Sequence, residues 1–164
     1  MLGKTYDTQI CSIARALEDV GERWSLLILR DAIFAGVTRF GDFQHNLGIA
    51  TNVLASRLDG FVASGIMQPD AGAGYVLTAK GRALATALIA LTEWGDEWAS
   101  EIEPPILYRH SGCGGDVHVA AVCDACGVVP GDEVGIRLGP GMPADYVATR
   151  RGPGRDASAA LATG

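Results

Sequence analysis

The sequence predicts a mainly helical α+β fold, in which a helix-turn-helix is followed by a β-hairpin, a long terminal helix and a small C-terminal β appendage. Three observations carry this prediction. Apolar residues recur at spacings of three and four over residues 8–35. Two further short amphipathic segments are joined by a turn that contains Gly48. A strand, a glycine-rich loop and a second strand then follow over residues 66–78, which completes a winged helix-turn-helix domain over residues 8–102.

The N-terminal segment is expected to form one or two helices. Its apolar positions are Ile10, Ile13, Ala14, Leu17, Val20, Trp24, Leu27, Ile28 and Ala32. Gly21 marks a break or a close contact within this pattern. The part from Trp24 to Phe34 is apolar on most sides, so it is predicted to be the central buried helix.

The next two helices give the helix-turn-helix. The first is predicted over residues 39–46, with Thr38 as its N-cap and Gly48 in the left-handed conformation that ends it. The inward positions of the two helices are Phe40, Phe43, Leu47, Val53, Leu54, Leu58, Phe61 and Val62. The pair Ser64–Gly65 ends the second helix. A turn of three or four residues containing glycine is the usual spacing of a helix-turn-helix.

The hairpin consists of strands predicted at residues 66–70 and 75–78, around the loop 71–74. Thr78 then begins a long amphipathic helix that runs to about residue 100. Its apolar stripe consists of Leu84, Ala87, Leu88, Leu91, Trp94 and Trp98. The prolines within Glu103–Pro105 end this helix. Such a stripe exceeds what a small monomer usually exposes, so it is predicted to form a homodimer interface.

The composition changes after the prolines. Residues 106–140 are rich in glycine and hold three of the four cysteines and two of the three histidines, so they are predicted to form the β appendage; residues 141–164 are predicted to be an extended tail. The ligand spacing His110-x2-Cys113-x9-Cys123-x2-Cys126 is that of a zinc ribbon, and the segment 116–122 alternates as a strand does. We therefore expect a structural zinc on these four residues, with His118 or water as alternatives to His110. Free thiols, or a reversible disulfide between Cys123 and Cys126, remain alternatives.

Charge and composition limit the classes of function. The chain has 19 acidic and 13 basic residues and a formal net charge of -6, which argues against non-specific coating of DNA but leaves room for a local basic face. It has no apolar run of about 20 residues and no recognisable secretory signal, so we expect a cytoplasmic protein without membrane association. We also expect no enzyme activity, because neither a Ser/His/Asp set, nor a phosphate-binding loop, nor a pair of carboxylates in a plausible cleft is recognisable.

Several motifs occur in order and at consistent spacing: "GERWSLLILRD" after Cys11, then "RFGDFQ", "GIATNVLASRL" and "YVLTAKG". Over residues 11–98 the chain resembles the HxlR family of bacterial transcription regulators, which is related to the MarR-type winged helices. The resemblance implies a homodimer joined by the long terminal helices, on double-stranded DNA, with the second helix of the turn in the major groove. Where many members have Ser-x-Lys/Arg, this chain has Ala50-Thr51-Asn52, and its wing, "MQPDAGAGY", has no basic residue.

The candidate DNA-binding residues are Arg39, Gln44, Thr51, Asn52, Ser56 and Arg57. The amide of Asn52 has the groups to bond adenine twice. Thr51 would contact a thymine methyl or a phosphate, or simply cap the helix. Arg57 would neutralise a phosphate or pair with an acid such as Asp59. The resemblance gives Arg39 a contact with the DNA backbone, and the alternative is a salt bridge.

The resemblance also singles out Cys11, because some members use a cysteine at this place to sense electrophiles or oxidants. Cys11 lies near the start of a predicted helix with Arg15 one turn later, which favours a thiolate. The alternative is a small residue buried in the dimer interface. The sequence as a whole predicts a repressor that binds an inverted repeat as a homodimer, with an unidentified small-molecule inducer as a further partner. The alternatives are a metal-binding or thiol-redox protein, and a protein adaptor with a degenerate helix-turn-helix.

Overall fold

Helices precede and follow a short β-hairpin in the larger part of the chain, and a second hairpin lies near the C-terminus. The computed structural model describes residues 5–6, 9–72 and 74–143. The chain divides into two units, residues 1–119 and 120–164. The division lies within the predicted appendage of residues 106–140, and residues 144–164 of the predicted tail lie outside the described residues.

Two helices form the N-terminal segment: α1 is Ser12–Val20 and α2 is Ser25–Phe34. The break comes at Gly21, as predicted, and the Gly21 N–H donates to the Leu17 carbonyl at 2.8 Å. A β-carbon at Gly21 would meet that carbonyl, which explains glycine here. Ile28 of α2 is fully buried. The prediction of a central buried helix is confirmed, since within α2 only Leu27 and Phe34 are exposed.

The helix-turn-helix is formed by α3, Phe40–Leu47, and α4, Thr51–Ala63. Gly48 ends α3 with φ 59° and ψ 24°, the predicted left-handed conformation. The predicted N-cap was wrong: Arg39 occupies that position, and Thr38 lies one residue before it. The Thr38 carbonyl instead accepts the Tyr75 N–H at 2.8 Å, which ties the entry of α3 to the hairpin.

The hairpin strands β1, Met67–Asp70, and β2, Gly74–Leu77, are antiparallel, with Met67 opposite Leu77 and Asp70 opposite Gly74. Gly65, with φ 71°, leads from α4 into β1. This is the wing predicted from the sequence. Residue 73 of the predicted loop lies outside the described residues.

The predicted long helix is interrupted. It consists of α5, Ala79–Arg82, and α6, Ala85–Trp98, with a tightened turn in which the Leu84 N–H donates to the Gly81 carbonyl three residues back. The helix begins at Thr78 as predicted, and Thr78 is its N-cap, since its hydroxyl accepts the Gly81 N–H at 3.3 Å. The two helices have different neighbours, because α5 contacts β2 whereas α6 packs on α2.

One core joins the helices and the wing of the first unit. Its buried members are Val20, Ile28, Leu29, Ala32, Phe43, Ile49, Leu54, Leu58, Phe61, Ile66, Met67 and Leu88. The residues predicted to face inward from the helix-turn-helix are buried in this core or pack against it, apart from Val62, which is half-buried. Among the described residues, no helix has the length and apolar character needed to cross a membrane.

The second unit contains an antiparallel hairpin of β3, Ala121–Cys123, and β4, Gly127–Val129, followed by a 3₁₀ turn at Gly131–Glu133. Cys123 lies opposite Gly127. The strand predicted at residues 116–122 was wrong over most of its length, because strand β3 begins only at Ala121. Asp116 instead forms an isolated bridge with Arg109 in the first unit.

Candidate nucleic-acid interface

The first turns of α4 present a polar surface to solvent. Thr51, Asn52 and Ser56 are exposed, whereas Leu54 and Leu58 on the other side of the helix are fully buried. Asn52 and Ser56 are four residues apart and therefore lie on one face of the helix. Neither side chain forms a hydrogen bond within the part of the chain that the structure describes. Their donors and acceptors are thus available to an external partner.

Gln44 links α3 to the start of α4. Its Nε2 donates to Thr51 Oγ1 at 2.8 Å. The N-cap of α4 is Ala50, which has no side chain to cap with, and Thr51 is the first helical residue. The alternative that Thr51 caps the helix is therefore wrong. The Thr51 hydroxyl accepts a hydrogen bond from Gln44, so its own proton can be donated to a partner outside the protein.

Arg57 has an acidic neighbour that the sequence did not indicate. Its Nη1 lies 3.7 Å from Glu22 Oε1, and the side chains are 28% and 63% exposed. This separation is too long for a hydrogen bond. Arg57 is thus held loosely by an acid from the segment between α1 and α2, and not by Asp59.

Arg39 is exposed at the N-cap of α3. Within the described residues its guanidinium forms neither a hydrogen bond nor an ion pair, so the salt-bridge alternative is not adopted there. Two other cations of the unit are paired with acids: Arg30 binds Asp31 at 2.7 Å and Lys80 binds Asp19 at 2.9 Å. Arg39 is therefore available for a phosphate.

Cys11 is the N-cap of α1, with φ -152° and ψ 128°, and is exposed. The alternative weighed for Cys11, burial in the dimer interface, stays a prediction. The guanidinium of Arg15 is engaged by Glu18 at 2.6 Å and by the carbonyls of Tyr6 and Gln9.

Two of the predicted metal ligands lie together in the first unit. His110 Nδ1 lies 3.2 Å from Cys113 Sγ. Gly114 follows with φ 77°, and its N–H donates to the His110 carbonyl at 2.7 Å. This is a tight turn that presents both side chains on one side.

The other two predicted ligands lie in the second unit, at the turn between β3 and β4. Gly127 follows Cys126 with φ 83°, and Cys123 and Cys126 are not joined in a disulfide. The backbone N–H groups of Ala125 and Cys126, and the Cys126 thiol, lower the pKa of the Cys123 thiol. Among the described residues of either unit, no three His, Cys, Asp or Glu side chains are grouped to hold a metal. The four predicted ligands are thus observed as two separate pairs.

A helix-turn-helix whose second helix exposes unpaired polar side chains, followed by a two-stranded wing, defines a DNA-binding transcription regulator of the winged helix-turn-helix class. The comparisons with known proteins agree with this class. Residues 19–103 match the family described as HxlR-like helix-turn-helix. The chain belongs to this family, and the predicted family and fold are confirmed.

Relatives extend the likeness beyond the matched residues. The uncharacterised HTH-type transcriptional regulator Rv3095 of Mycobacterium tuberculosis is 43% identical over 81% of this chain and 89% of its own. The crystal structure of PA1607, a candidate transcription factor, is 34% identical with a TM-score of 0.70, over 80% of this chain and 97% of its own. PA1374 of Pseudomonas aeruginosa, also a candidate transcription factor, is 34% identical with a TM-score of 0.56, over 81% and 95%.

Proposed function

We propose that the chain is a repressor that binds an inverted-repeat operator as a homodimer. The observation that carries the proposal is the exposed, unpaired polar face of α4, formed by Asn52 and Ser56 beside Thr51. The N-terminal part of such a helix is the part that meets base edges in a major groove. Repression needs the fewest further contacts, because a bound dimer excludes other proteins from the promoter by its presence alone.

The two kinds of contact fall to different side chains. Asn52 and Ser56 are uncharged and would read base edges, with Thr51 held by Gln44 at the start of the helix. Arg39 and Arg57 would bind phosphates and set the position of α4 on the duplex. One helix reads few base pairs, so specificity requires two copies related by a twofold axis.

The dimer is supported by an apolar face on α6. Leu91, Trp94 and Trp98 recur at spacings of three and four and are 49%, 58% and 69% exposed. Exposed apolar patches of this kind mark interaction surfaces. Leu88, predicted as part of the same stripe, is only 6% exposed and belongs to the core of the protomer. The interface is therefore tested without changing Leu88.

Base recognition is tested with Asn52→Ala and a library of operator variants derived from the DNA upstream of the gene. The variant should lose about 1–3 kcal/mol of binding free energy on the native operator for each half-site. It should no longer distinguish among the four bases at one position of the half-site. The control is Asn46→Ala, which removes another exposed asparagine outside α4 and should leave the site preference unchanged. An equal loss on every sequence would show that Asn52 contacts only the DNA backbone.

The dimer is tested with the double variant Leu91→Glu, Trp94→Glu, measured by light scattering with circular dichroism to monitor folding. We expect folded monomers that bind a half-site weakly and whose affinity for a full operator is no higher than for a half-site. Ile136→Glu, a charge placed on an exposed apolar residue of the second unit, should leave the dimer intact. Folded dimers from the double variant would locate the interface elsewhere.

We also propose that His110, Cys113, Cys123 and Cys126 hold a structural zinc ion. Support comes from the spacing of the sequence and from the similar turns of the two pairs, each followed by a glycine at positive φ. Two thiolate-bearing turns of this kind supply the ligands of a zinc ribbon, and four protein ligands leave no position open for a substrate. The metal would stabilise an appendage whose apolar residues Val122, Val128 and Ile136 are exposed.

Elemental analysis of untagged protein, purified without chelator, tests the zinc. We expect about one zinc per chain. Cys123→Ser should abolish it, and Cys11→Ser, which removes a cysteine outside the proposed ligand set, should retain it. Metal-free protein with three titratable thiols at residues 113, 123 and 126 would rule the site out.

A further inference from the structure

A cleft of about 350 Å³ lies in the first unit, between the C-terminal half of α6 and the segment 104–118. Ile106, Leu107 and Val117 give it an apolar wall. Tyr108 also lines it and is fixed from two sides: its hydroxyl lies 3.0 Å from Thr92 Oγ1, and its ring lies on Phe34 at 4.7 Å between centroids. This volume is within the range of small-molecule sites, which are usually apolar with a few placed polar groups.

The charged groups of the cleft are mainly acidic, and His118, the one basic residue among its described lining residues, is bound to Glu93. Four carboxylates line it, from Glu93, Asp96, Glu97 and Asp116, and no Lys or Arg is among its described lining residues. Glu93 is occupied, because it binds His118 Nδ1 at 3.0 Å and the Val119 N–H at 3.2 Å. The other three carboxylates form no hydrogen bond or ion pair within the described residues.

We propose that this cleft binds an organic cation, a protonated amine carried on an aromatic or aliphatic body. The unpaired carboxylates supply the charge that a cation requires, and the low-dielectric wall strengthens that attraction relative to open water. The apolar wall and the Tyr108 ring accept the body of the ligand, and aromatic rings also attract cations. Anions are repelled by the same carboxylates, and a bare metal ion gains nothing from the apolar wall.

The cleft and the proposed dimer interface use different faces of α6. Leu91, Trp94 and Trp98 follow one another by three and four residues along one face. Glu93, Asp96 and Glu97 are separated by three and one residues, and at about 100° per residue their mean direction lies roughly 140° around the helix from that face. A partner on the tryptophan face therefore leaves the cleft open.

The binding of phenylbutylamine to the full chain, followed by isothermal titration calorimetry, tests the proposal. Phenylbutanol has the same body without charge, phenylbutyrate reverses the charge, and butylamine lacks the ring. We expect the amine to bind at least about tenfold more tightly than the alcohol, with the alcohol ahead of the carboxylate and butylamine the weakest. No DNA is present, so the result is independent of operator binding.

A pair of matched variants locates the site. Asp96→Asn, Glu97→Gln removes two lining carboxylates and should reduce the preference for amine over alcohol to about twofold or less. Asp132→Asn, Glu133→Gln removes the same charge from the second unit and should keep the preference. The proposal is overturned if the cleft variant keeps the preference, if phenylbutyrate binds as tightly as the amine, if butylamine equals phenylbutylamine, or if the amine gives no binding.

Discussion

Arg57 is expected to exchange Glu22 for a phosphate when the protein binds DNA. The two side chains are 3.7 Å apart and Glu22 is 63% exposed, so their attraction is largely screened by water. Breaking the pair should cost about 0.5 kcal/mol per protomer, at the middle of the range for surface ion pairs. A phosphate contact gains more, because it releases a condensed counterion.

Two substitutions measure this exchange. Arg57→Gln removes one phosphate contact per protomer, so the salt slope of a dimer should fall by about 1.8. Its affinity deficit at 50 mM salt should shrink by about twelvefold at 200 mM. Glu22→Gln frees Arg57 in the unbound protein and recovers about 1 kcal/mol per dimer, or about fivefold tighter binding. Fluorescence anisotropy at four salt concentrations gives both quantities.

The control is Glu133→Gln, which removes one exposed acid from the second unit. It reports the effect of net charge alone. If Glu22→Gln gains no more than this control, and Arg57→Gln leaves the salt slope unchanged, Arg57 does not bind phosphate and its pairing with Glu22 has no bearing on DNA.

Two further predictions concern stability. Gly48→Ala should lower the free energy of unfolding by about 1 kcal/mol, because φ is 59° with open space around the position. Gly41→Ala, at an exposed glycine within α3, should instead raise the free energy of unfolding by up to about 1 kcal/mol. Equal effects of the two variants in urea titrations would contradict the backbone argument. Leu88→Ala should cost about 2–5 kcal/mol in the protomer, whereas Leu91→Ala should chiefly weaken dimerisation. If Leu91→Ala leaves the dimer dissociation constant unchanged and lowers the free energy of unfolding as much as Leu88→Ala, Leu91 does not belong to the interface.

The helix-turn-helix could be predicted from the sequence because its signals are local. The spacing of Phe43, Leu54 and Leu58 fixes which side of each helix is buried, and all three are fully buried. Gly48 ends α3 in the predicted left-handed conformation, and the helix after the wing begins at Thr78 as expected. These features depend on neighbours within a few residues, which periodicity and capping rules describe.

The wrong predictions have tertiary causes. Thr38 had the chemistry of an N-cap, but its carbonyl is bonded to Tyr75 in the wing, and the helix starts later. Leu88 and Leu91 share one apolar stripe in the sequence, yet only Leu88 packs in the protomer core. Pairing of Arg57 with an acid was among the predicted alternatives, but its partner Glu22 lies far from it in the chain and could not be named from the sequence. No local pattern specifies which of several equivalent positions meets a distant neighbour.

The net charge of -6 bears directly on how such a protein would find its operator. Lys80 and Arg30 are paired with acids and Arg57 is shared with Glu22, whereas Arg39 has no acidic partner within the described residues. The wing adds Asp70 and no base. Non-specific affinity, which depends on counterion release, should therefore be low. Discrimination then rests on uncharged groups such as the Asn52 amide, whose contacts depend on the base and not on the phosphate. An acidic regulator with these contacts should bind random DNA weakly. The ratio of its affinity for the operator to its affinity for competing sites should therefore be larger.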